Sequence, residues 1–112
     1  MTPDDGFVRI ASLAEVPEGE LSAYDLAFGR VALAHVENEL FAFGDECTHE
    51  GCSLAEGALG EEEDSVVCPC HASEFDLRTG EPLEGPAEDP IPVFAVRERE
   101  GWIEFRPPTE EP

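Results

Sequence analysis

The chain has 112 residues, and 27 acidic side chains against six basic ones give it a formal net charge of -21. This length is enough for one domain, residues 1–112, with one modest hydrophobic core. The charge excludes nucleic acids and anionic membranes as natural partners, because both are polyanions that such a field repels. The sequence also lacks the run of about 20 apolar residues that would span a bilayer.

The N-terminal residues predict a cytoplasmic location. Residues 1–6 offer neither a basic stretch nor an apolar stretch, so they do not resemble a secretory signal. In the cytoplasm, four cysteines in two tight clusters suggest metal binding before structural disulfides. The acidic surface favours encounter with basic docking surfaces on protein partners, and we expect a monomer.

Short apolar segments separated by turn residues predict an all-β fold. In chain order the predicted strands are Phe7–Ile10, Leu21–Leu26, Val31–Val36, Leu40–Phe43, Val66–Val67, Glu74–Leu77, Ile91–Arg97 and Trp102–Phe105. Residues 12–19 are compatible with a single helical turn, and residues 78–90, with two glycines and three prolines, predict a long loop. The last two strands are expected to form a hairpin around Glu98–Gly101, with a disordered tail at 107–112. Tyr24 and Trp102 are interpreted as packing residues.

Two segments combine cysteine with histidine at short spacing. The first contains Cys47-Thr48-His49, and the second contains Cys68-Pro69-Cys70-His71, with 18 residues between the two motifs. Each segment lies in a loop at the end of a predicted strand, where a β scaffold would project a site. The sequence therefore predicts one four-ligand metal site on Cys47, His49, Cys68 and His71.

The ligand types leave two metals open. Two cysteines and two histidines satisfy a tetrahedral Zn²⁺, but zinc fingers usually keep the two cysteines together and the two histidines together. Here each loop supplies a mixed pair, which suits a binuclear centre with two cysteines on one iron and two histidines on the other. The spacing favours a [2Fe–2S] cluster, and a zinc-binding interaction module remains the alternative.

The segments CTHEGCSL and CPCHASEFD resemble the paired ligand motifs of Rieske proteins, and RTGEPLEGPAEDPIPVFAVR resembles the segment that follows them in small Rieske ferredoxins. The similarity extends from about residue 7 to residue 105. It implies the Rieske fold, a small antiparallel β sandwich or barrel whose tip, two loops within about residues 45–90, binds the cluster. It also implies that Cys47 and Cys68 bind the inner iron and that His49 and His71 bind the outer iron near solvent.

The same resemblance assigns roles to four further residues. Equivalents of Cys52 and Cys70 form a disulfide between the cluster loops in Rieske subunits of quinol-oxidising complexes; two buried free thiols are the alternative. Ser73 matches a serine whose hydroxyl donates to a cluster sulfur and raises the potential. Phe75 stands where high-potential members carry tyrosine, so that donor is missing. These opposed features, together with the acidic surface, predict an intermediate reduction potential.

The resemblance implies a one-electron carrier and not an enzyme, because all four protein ligand positions are filled and none stays open for a substrate. The leading hypothesis is a ferredoxin that passes electrons from a flavin-dependent reductase to a terminal acceptor such as a non-haem iron oxygenase. Two alternatives remain: a Rieske component of a quinol/cytochrome respiratory chain, and a small subunit of a nitrite reductase-like enzyme.

Overall fold

The structure is a computed structural model that describes residues 6–26, 29–47, 51–60, 64–70, 72–85 and 88–106. Within these ranges the chain forms strands and two short 3₁₀ turns, at Leu13–Glu15 and Leu54–Glu56. The strands are β1 (Val8–Ser12), β2 (Leu21–Leu26), β3 (Gly29–Val36), β4 (Glu39–Gly44), β5 (Ala58–Leu59), β6 (Ser65–Val67), β7 (Glu74–Asp76), β8 (Pro82–Glu84), β9 (Val93–Phe94), β10 (Val96–Arg99) and β11 (Trp102–Phe105). The all-β prediction is confirmed. No helix in the described ranges is long and apolar enough to cross a membrane.

The strands form three antiparallel sheets. The distal sheet has the order β1-β11-β10, the central sheet β2-β3-β4-β9, and the cysteine sheet β5-β6-β7-β8. The first cysteine loop follows β4 of the central sheet, and the second follows β6 and leads into β7 of the cysteine sheet. The two predicted ligand loops therefore come from two different sheets.

The central sheet is apolar on both faces and separates the other two sheets. Along β3, Ala32 and Ala34 belong to a core that includes Phe75 of the cysteine sheet. The alternate residues Val31 and Leu33 belong to a second core with Ile103 of the distal sheet. A strand covered on both faces has a continuous apolar run instead of an alternating one. This explains the segment VALAHV and gives the molecule three layers.

Two hairpins close with two-residue turns in which both residues have positive φ, the geometry that suits strand twist. Glu37 and Asn38 (φ 51° and 69°) join β3 to β4, and Glu100 and Gly101 (φ 54° and 86°) join β10 to β11. The predicted turn Glu98–Gly101 is too long, because Glu98 and Arg99 already pair with β11.

Long-range pairing changes the predicted strand pattern in three other places. The predicted strand Ile91–Arg97 is divided: β9 pairs with β4 in the central sheet, whereas β10 pairs with β11 in the distal sheet. The predicted long loop contains β8, which pairs with β7, and β5 was not predicted. Strands of two or three residues are too short to display a period of two, so only their partners identify them.

Arg78 ties the cysteine sheet to the central sheet. Its guanidinium donates to both carboxylate oxygens of Glu39 at 2.7 Å and to Asp64 at 2.6 Å, and it lies 5.2 Å from the ring centroid of Phe41. Glu39 begins β4, whereas Asp64 immediately precedes β6, the strand that leads to Cys68. The hydrogen bonds from Arg78 hold the pKa of Glu39 below its ordinary value.

Replacing Arg78 by methionine should lower stability at neutral pH, and the loss should shrink in acid. A carboxyl whose folded-state pKa is depressed contributes stability above its unfolded pKa, and this contribution disappears as the pH falls through the folded-state pKa. The difference in free energy of unfolding between parent and variant should therefore be largest near pH 7. It should narrow below the ordinary glutamate pKa of 4.5. Urea unfolding across this pH range measures it. Arg99→Met, at an exposed arginine elsewhere, should show no such pH-dependent difference.

Candidate metal centre

The described residues of the two cysteine loops form matching backbone hydrogen bonds. In the first, Cys47 N–H donates to the Cys52 carbonyl at 2.9 Å, and Gly51 N–H donates to the Cys47 carbonyl at 2.7 Å. In the second, Cys68 N–H donates to the Ser73 carbonyl at 2.7 Å, and Ala72 N–H donates to the Cys68 carbonyl at 3.1 Å. Each loop therefore begins at a cysteine and returns five residues later.

Both loops need a left-handed residue four positions after the cysteine. Gly51 has φ 78° and Ala72 has φ 63°. Glycine adopts this conformation without strain, whereas alanine brings its Cβ close to the backbone. The second loop therefore carries a strain that the first avoids.

Exchanging these residues should change stability in opposite directions. Ala72→Gly is expected to raise the free energy of unfolding by roughly 0.5–1 kcal/mol, because the strain is relieved. Gly51→Ala is expected to lower the free energy of unfolding by about 1 kcal/mol. The added Cβ would meet no atom within 4 Å, so the loss comes from backbone strain alone. Chemical denaturation measures both. If the two substitutions changed the free energy of unfolding in the same direction, the two loops would not share a left-handed residue at this position.

The two predicted cysteine ligands are buried thiols in one core. Cys47 is 3% exposed and Cys68 is 2% exposed, and neither forms a disulfide. Both contact the core that includes Leu54 and Phe75. Thiolates are the cysteine ligands of iron–sulfur clusters. Two buried thiols at the start of matched loops fit that donor set. The predicted ligands His49 and His71 lie outside the described residues.

The remaining cysteines connect the two loops. Cys52 and Cys70 form a disulfide with a Cα–Cα distance of 6.5 Å. Both of their sulfurs lie within 4.8 Å of the Cys68 sulfur. Cys70 is exposed and Cys52 is half-buried. The crosslink therefore brings the first loop against the second ligand cysteine, and the alternative of two free thiols is not what the structure shows.

Ser73 and Phe75 flank the start of β7, and both side chains are fully buried. The Ser73 carbonyl closes the second loop, and Phe75 packs in the core that contains Cys68. Burial beside the ligand loop is compatible with the donor role that the resemblance implies for Ser73. The effect of Phe75 on potential stays a prediction.

Asp45 is a site residue that the sequence reasoning missed. Its side chain is 1% exposed, and it accepts hydrogen bonds from Ser53 Oγ at 2.5 Å and from Ala55 N–H at 2.8 Å. Arg30 Nη1 lies 3.7 Å from the same carboxylate. Asp45 precedes the first loop, whereas Ser53 and Ala55 follow it. The hydrogen bonds between them therefore close the base of that loop. One aspartate among 27 acidic residues gave no sequence signal for this role.

Replacing Asp45 by asparagine should raise the reduction potential of the protein. Asparagine keeps the shape of Asp45 and can still accept from Ala55 and donate to Ser53, so the variant chiefly removes a negative charge. A nearby negative charge opposes the addition of an electron, and we expect a rise on the order of tens of millivolts. Spectroelectrochemical titration measures it. Ser53→Ala, which keeps the carboxylate, should not raise the potential, and an unchanged potential in Asp45→Asn would contradict the prediction.

Comparison with known proteins identifies the family of this chain. The Rieske [2Fe-2S] domain matches residues 6–95. The 3-phenylpropionate/cinnamic acid dioxygenase ferredoxin subunit of Escherichia coli K12 is 39% identical over 100 residues, which cover 89% of this chain and 92% of that protein.

Solved structures agree with the sequence comparison. The ferredoxin of carbazole 1,9a-dioxygenase from Nocardioides aromaticivorans IC177 superposes with a TM-score of 0.86 at 27% identity, covering 93% of this chain and all of that one. A chain from a complex of reduced oxygenase and oxidized ferredoxin in carbazole 1,9a-dioxygenase gives a TM-score of 0.82 at 27% identity, covering 92% and 94%.

These matches decide between the two metals that the ligand set left open. The family match supports a [2Fe–2S] cluster over zinc, and the matched ferredoxins are electron-transfer components of multi-component dioxygenases. The chain belongs to the Rieske [2Fe–2S] domain family, as an electron-carrying ferredoxin and not as a catalytic enzyme.

Proposed function

We propose that this protein carries single electrons from a flavin-dependent reductase to the terminal oxygenase of a dioxygenase system in the cytoplasm. The observation that carries the proposal is the match to dioxygenase ferredoxins over nearly the whole length of both chains. One matched chain comes from a complex of a ferredoxin with its oxygenase. The buried Cys47 and Cys68 thiols supply the cluster ligands that such a carrier needs.

Cys47, His49, Cys68 and His71 would hold the cluster. When bound, a [2Fe–2S] group with two thiolate and two imidazole ligands accepts and returns one electron, at potentials between about -150 and +300 mV. The buried cysteines keep water from the inner side of the site, and the disulfide holds the two loops together. Among the described loop residues, Gly51, Pro69, Cys70 and Ala72 are exposed and uncharged, so a partner can approach closely here.

Exposed acidic residues lie close to these loop residues along the chain and across the cysteine sheet. Glu56 follows the first loop, and Glu84, the last residue of β8, pairs with Glu74, which directly follows the second loop. A partner that binds here would therefore cover the uncharged loop residues and would meet the acidic residues around its own contact area. It needs basic residues at those positions to form ion pairs. Electron delivery should then slow as salt concentration rises, because added ions screen the steering field.

Stopped-flow mixing tests this function directly. The protein is reduced and mixed with the oxygenase component of the 3-phenylpropionate/cinnamic acid dioxygenase, the system of its 39% identical relative. We expect recovery of the oxidised spectrum to accelerate with oxygenase concentration and to slow with added salt. Failure of this oxygenase and of carbazole dioxygenase oxygenase to accelerate recovery would count against the proposal.

The Cys52–Cys70 disulfide favours one second candidate, the Rieske component of a quinol/cytochrome chain, because the resemblance associates this crosslink with that class. An EPR-monitored redox titration at several pH values separates the two functions. A potential below about 0 mV supports the dioxygenase ferredoxin. A clearly positive potential that falls with pH supports the quinol chain.

A further inference from the structure

The outer face of the distal sheet concentrates the positive charge of the protein. Residues paired across antiparallel strands share a face, and the register pairs Arg9 and Arg97 with Glu104 and pairs Arg99 with Trp102. Arg106 lies beside these residues, with its guanidinium carbon 5.3 Å from the ring centroid of Phe7. We call this surface the arginine face; it comprises Phe7, Arg9, Arg97, Arg99, Trp102 and Arg106. It holds four of the six basic residues of a chain with 27 acidic ones.

Aromatic rings lie against the guanidinium groups of Arg9, Arg97 and Arg106 on this face. Arg9 lies 4.7 Å from the ring centroid of Trp102, and Arg97 lies 4.1 Å from that of Phe7. A guanidinium stacked on a ring keeps its in-plane N–H groups directed sideways, where a carboxylate can accept two of them. Glu104, 8% exposed, is paired with Arg97 at 2.7 Å. The exposed Arg9 and Arg99 lie on either side of Trp102.

Trp102 lies between these two arginines at the start of β11, and the sequence-based interpretation of it as a packing residue is wrong. It is 39% exposed, although it is the single tryptophan of the chain. On one side it has Arg99 of β10, and on the other it has Arg9 of β1. An exposed tryptophan flanked by arginines has the composition of the residues that contribute most energy to protein–protein interfaces.

The arginine face is remote from the cysteine loops. The central sheet lies between the two, with one core on each of its faces. Stacked sheets are about 10 Å apart, so the distal sheet is about 20 Å from the cysteine sheet. A protein bound to the arginine face would leave the cysteine loops open to a redox partner.

We propose that the arginine face is a docking surface for a carboxylate-rich segment of a partner protein. Carboxylates complement the guanidinium groups, and an apolar side chain between them would cover Trp102. A membrane or a nucleic acid is an extended polyanion that would also meet the acidic remainder of the protein, so charge favours a short acidic segment. Net charge of -21 on each molecule likewise opposes self-association.

Titration of the ¹⁵N-labelled, cluster-loaded protein with a short glutamate-rich peptide tests this proposal. The indole N–H resonance of Trp102 reports the face by itself, because the chain has one tryptophan. We expect that resonance to shift in a saturable way at low salt and the affinity to fall as salt is added. The measurement uses neither reductase nor oxygenase, so its outcome is independent of the electron-delivery test.

Two variants of equal net charge locate the binding surface. Arg99→Gln and Ala23→Glu, at an exposed position of β2, each make the charge one unit more negative. We expect Arg99→Gln to weaken peptide binding about fivefold or more, Arg99→Lys to retain most of it, and Ala23→Glu to change it little. An unchanged visible spectrum shows that each variant remains folded around its cluster.

Several outcomes would overturn the proposal. These are an unmoved Trp102 resonance at low salt, and equal weakening by Arg99→Gln and Ala23→Glu. A response to anionic vesicles or duplex DNA without a response to the peptide would assign the face to a polyanion. A shift that depends on protein concentration alone, and that Arg99→Gln abolishes, would assign it to a second copy of the chain.

Discussion

Replacing Cys68 by serine is expected to leave a protein without the visible absorption and the reduced-state EPR signal of a histidine-ligated cluster. Cys68 begins the second loop as a buried cysteine outside the disulfide, and it is the thiolate that binds iron. A serine hydroxyl does not ionise readily, so the inner iron would lose half of its protein ligands. Cys47→Ser should have the same effect. Iron content, absorption and EPR after anaerobic reconstitution measure the loss.

Cys70→Ser is the matched control for this experiment. It makes the same chemical change two residues away, at a cysteine assigned to the disulfide and not to the metal. The control should therefore keep a cluster signal that Cys68→Ser lacks. His49→Ala and His71→Ala extend the test to the two ligands outside the described residues. A full cluster signal in Cys68→Ser would refute the ligand assignment.

Removing the disulfide with Cys52→Ala/Cys70→Ala is expected to lower the free energy of unfolding by about 3 kcal/mol. The crosslink spans a sequence separation of 18, and closing a loop of that length removes about this much chain entropy from the unfolded state. The two loops are also expected to separate more readily, so cluster loss should accelerate. Urea unfolding and the decay of visible absorption measure the two effects.

Reduction of the parent protein supplies the control for the disulfide. With a thiol reductant present, the parent should approach the unfolding midpoint of the double variant, whereas the variant should not respond. Equal midpoints for the oxidised parent and the double variant would show that the crosslink does not stabilise the fold. Faster cluster loss without a change in midpoint would confine its role to the two loops.

The ligand motifs and the all-β class could be predicted because both depend on local sequence. Cysteine and histidine at short spacing specify a donor set wherever the chain places them, and β2 was predicted with its observed bounds. The turn at Gly51 follows from a conformation that glycine adopts freely. The same conformation at Ala72 could not be predicted, because hydrogen bonds of the loop impose it against the preference of alanine.

Features that depend on contacts between distant segments could not be predicted. β5 and β8 are strands only because β6 and β7 lie beside them. Asp45 closes the first loop through partners eight and ten residues away. Arg78 reaches Glu39 across 39 residues, from one sheet to another.

Residue identity and short spacing were enough to predict the four ligand residues and the all-β class, and they fix the strongly negative net charge. The three-dimensional arrangement chose the disulfide over the free thiols for Cys52 and Cys70, and it was needed to show that Asp45 is buried and that four arginines share one face with Trp102. Strand register is the physical reason. It brings β1, β10 and β11 together from opposite ends of the chain, and a shift of one residue would turn each side chain to the other face.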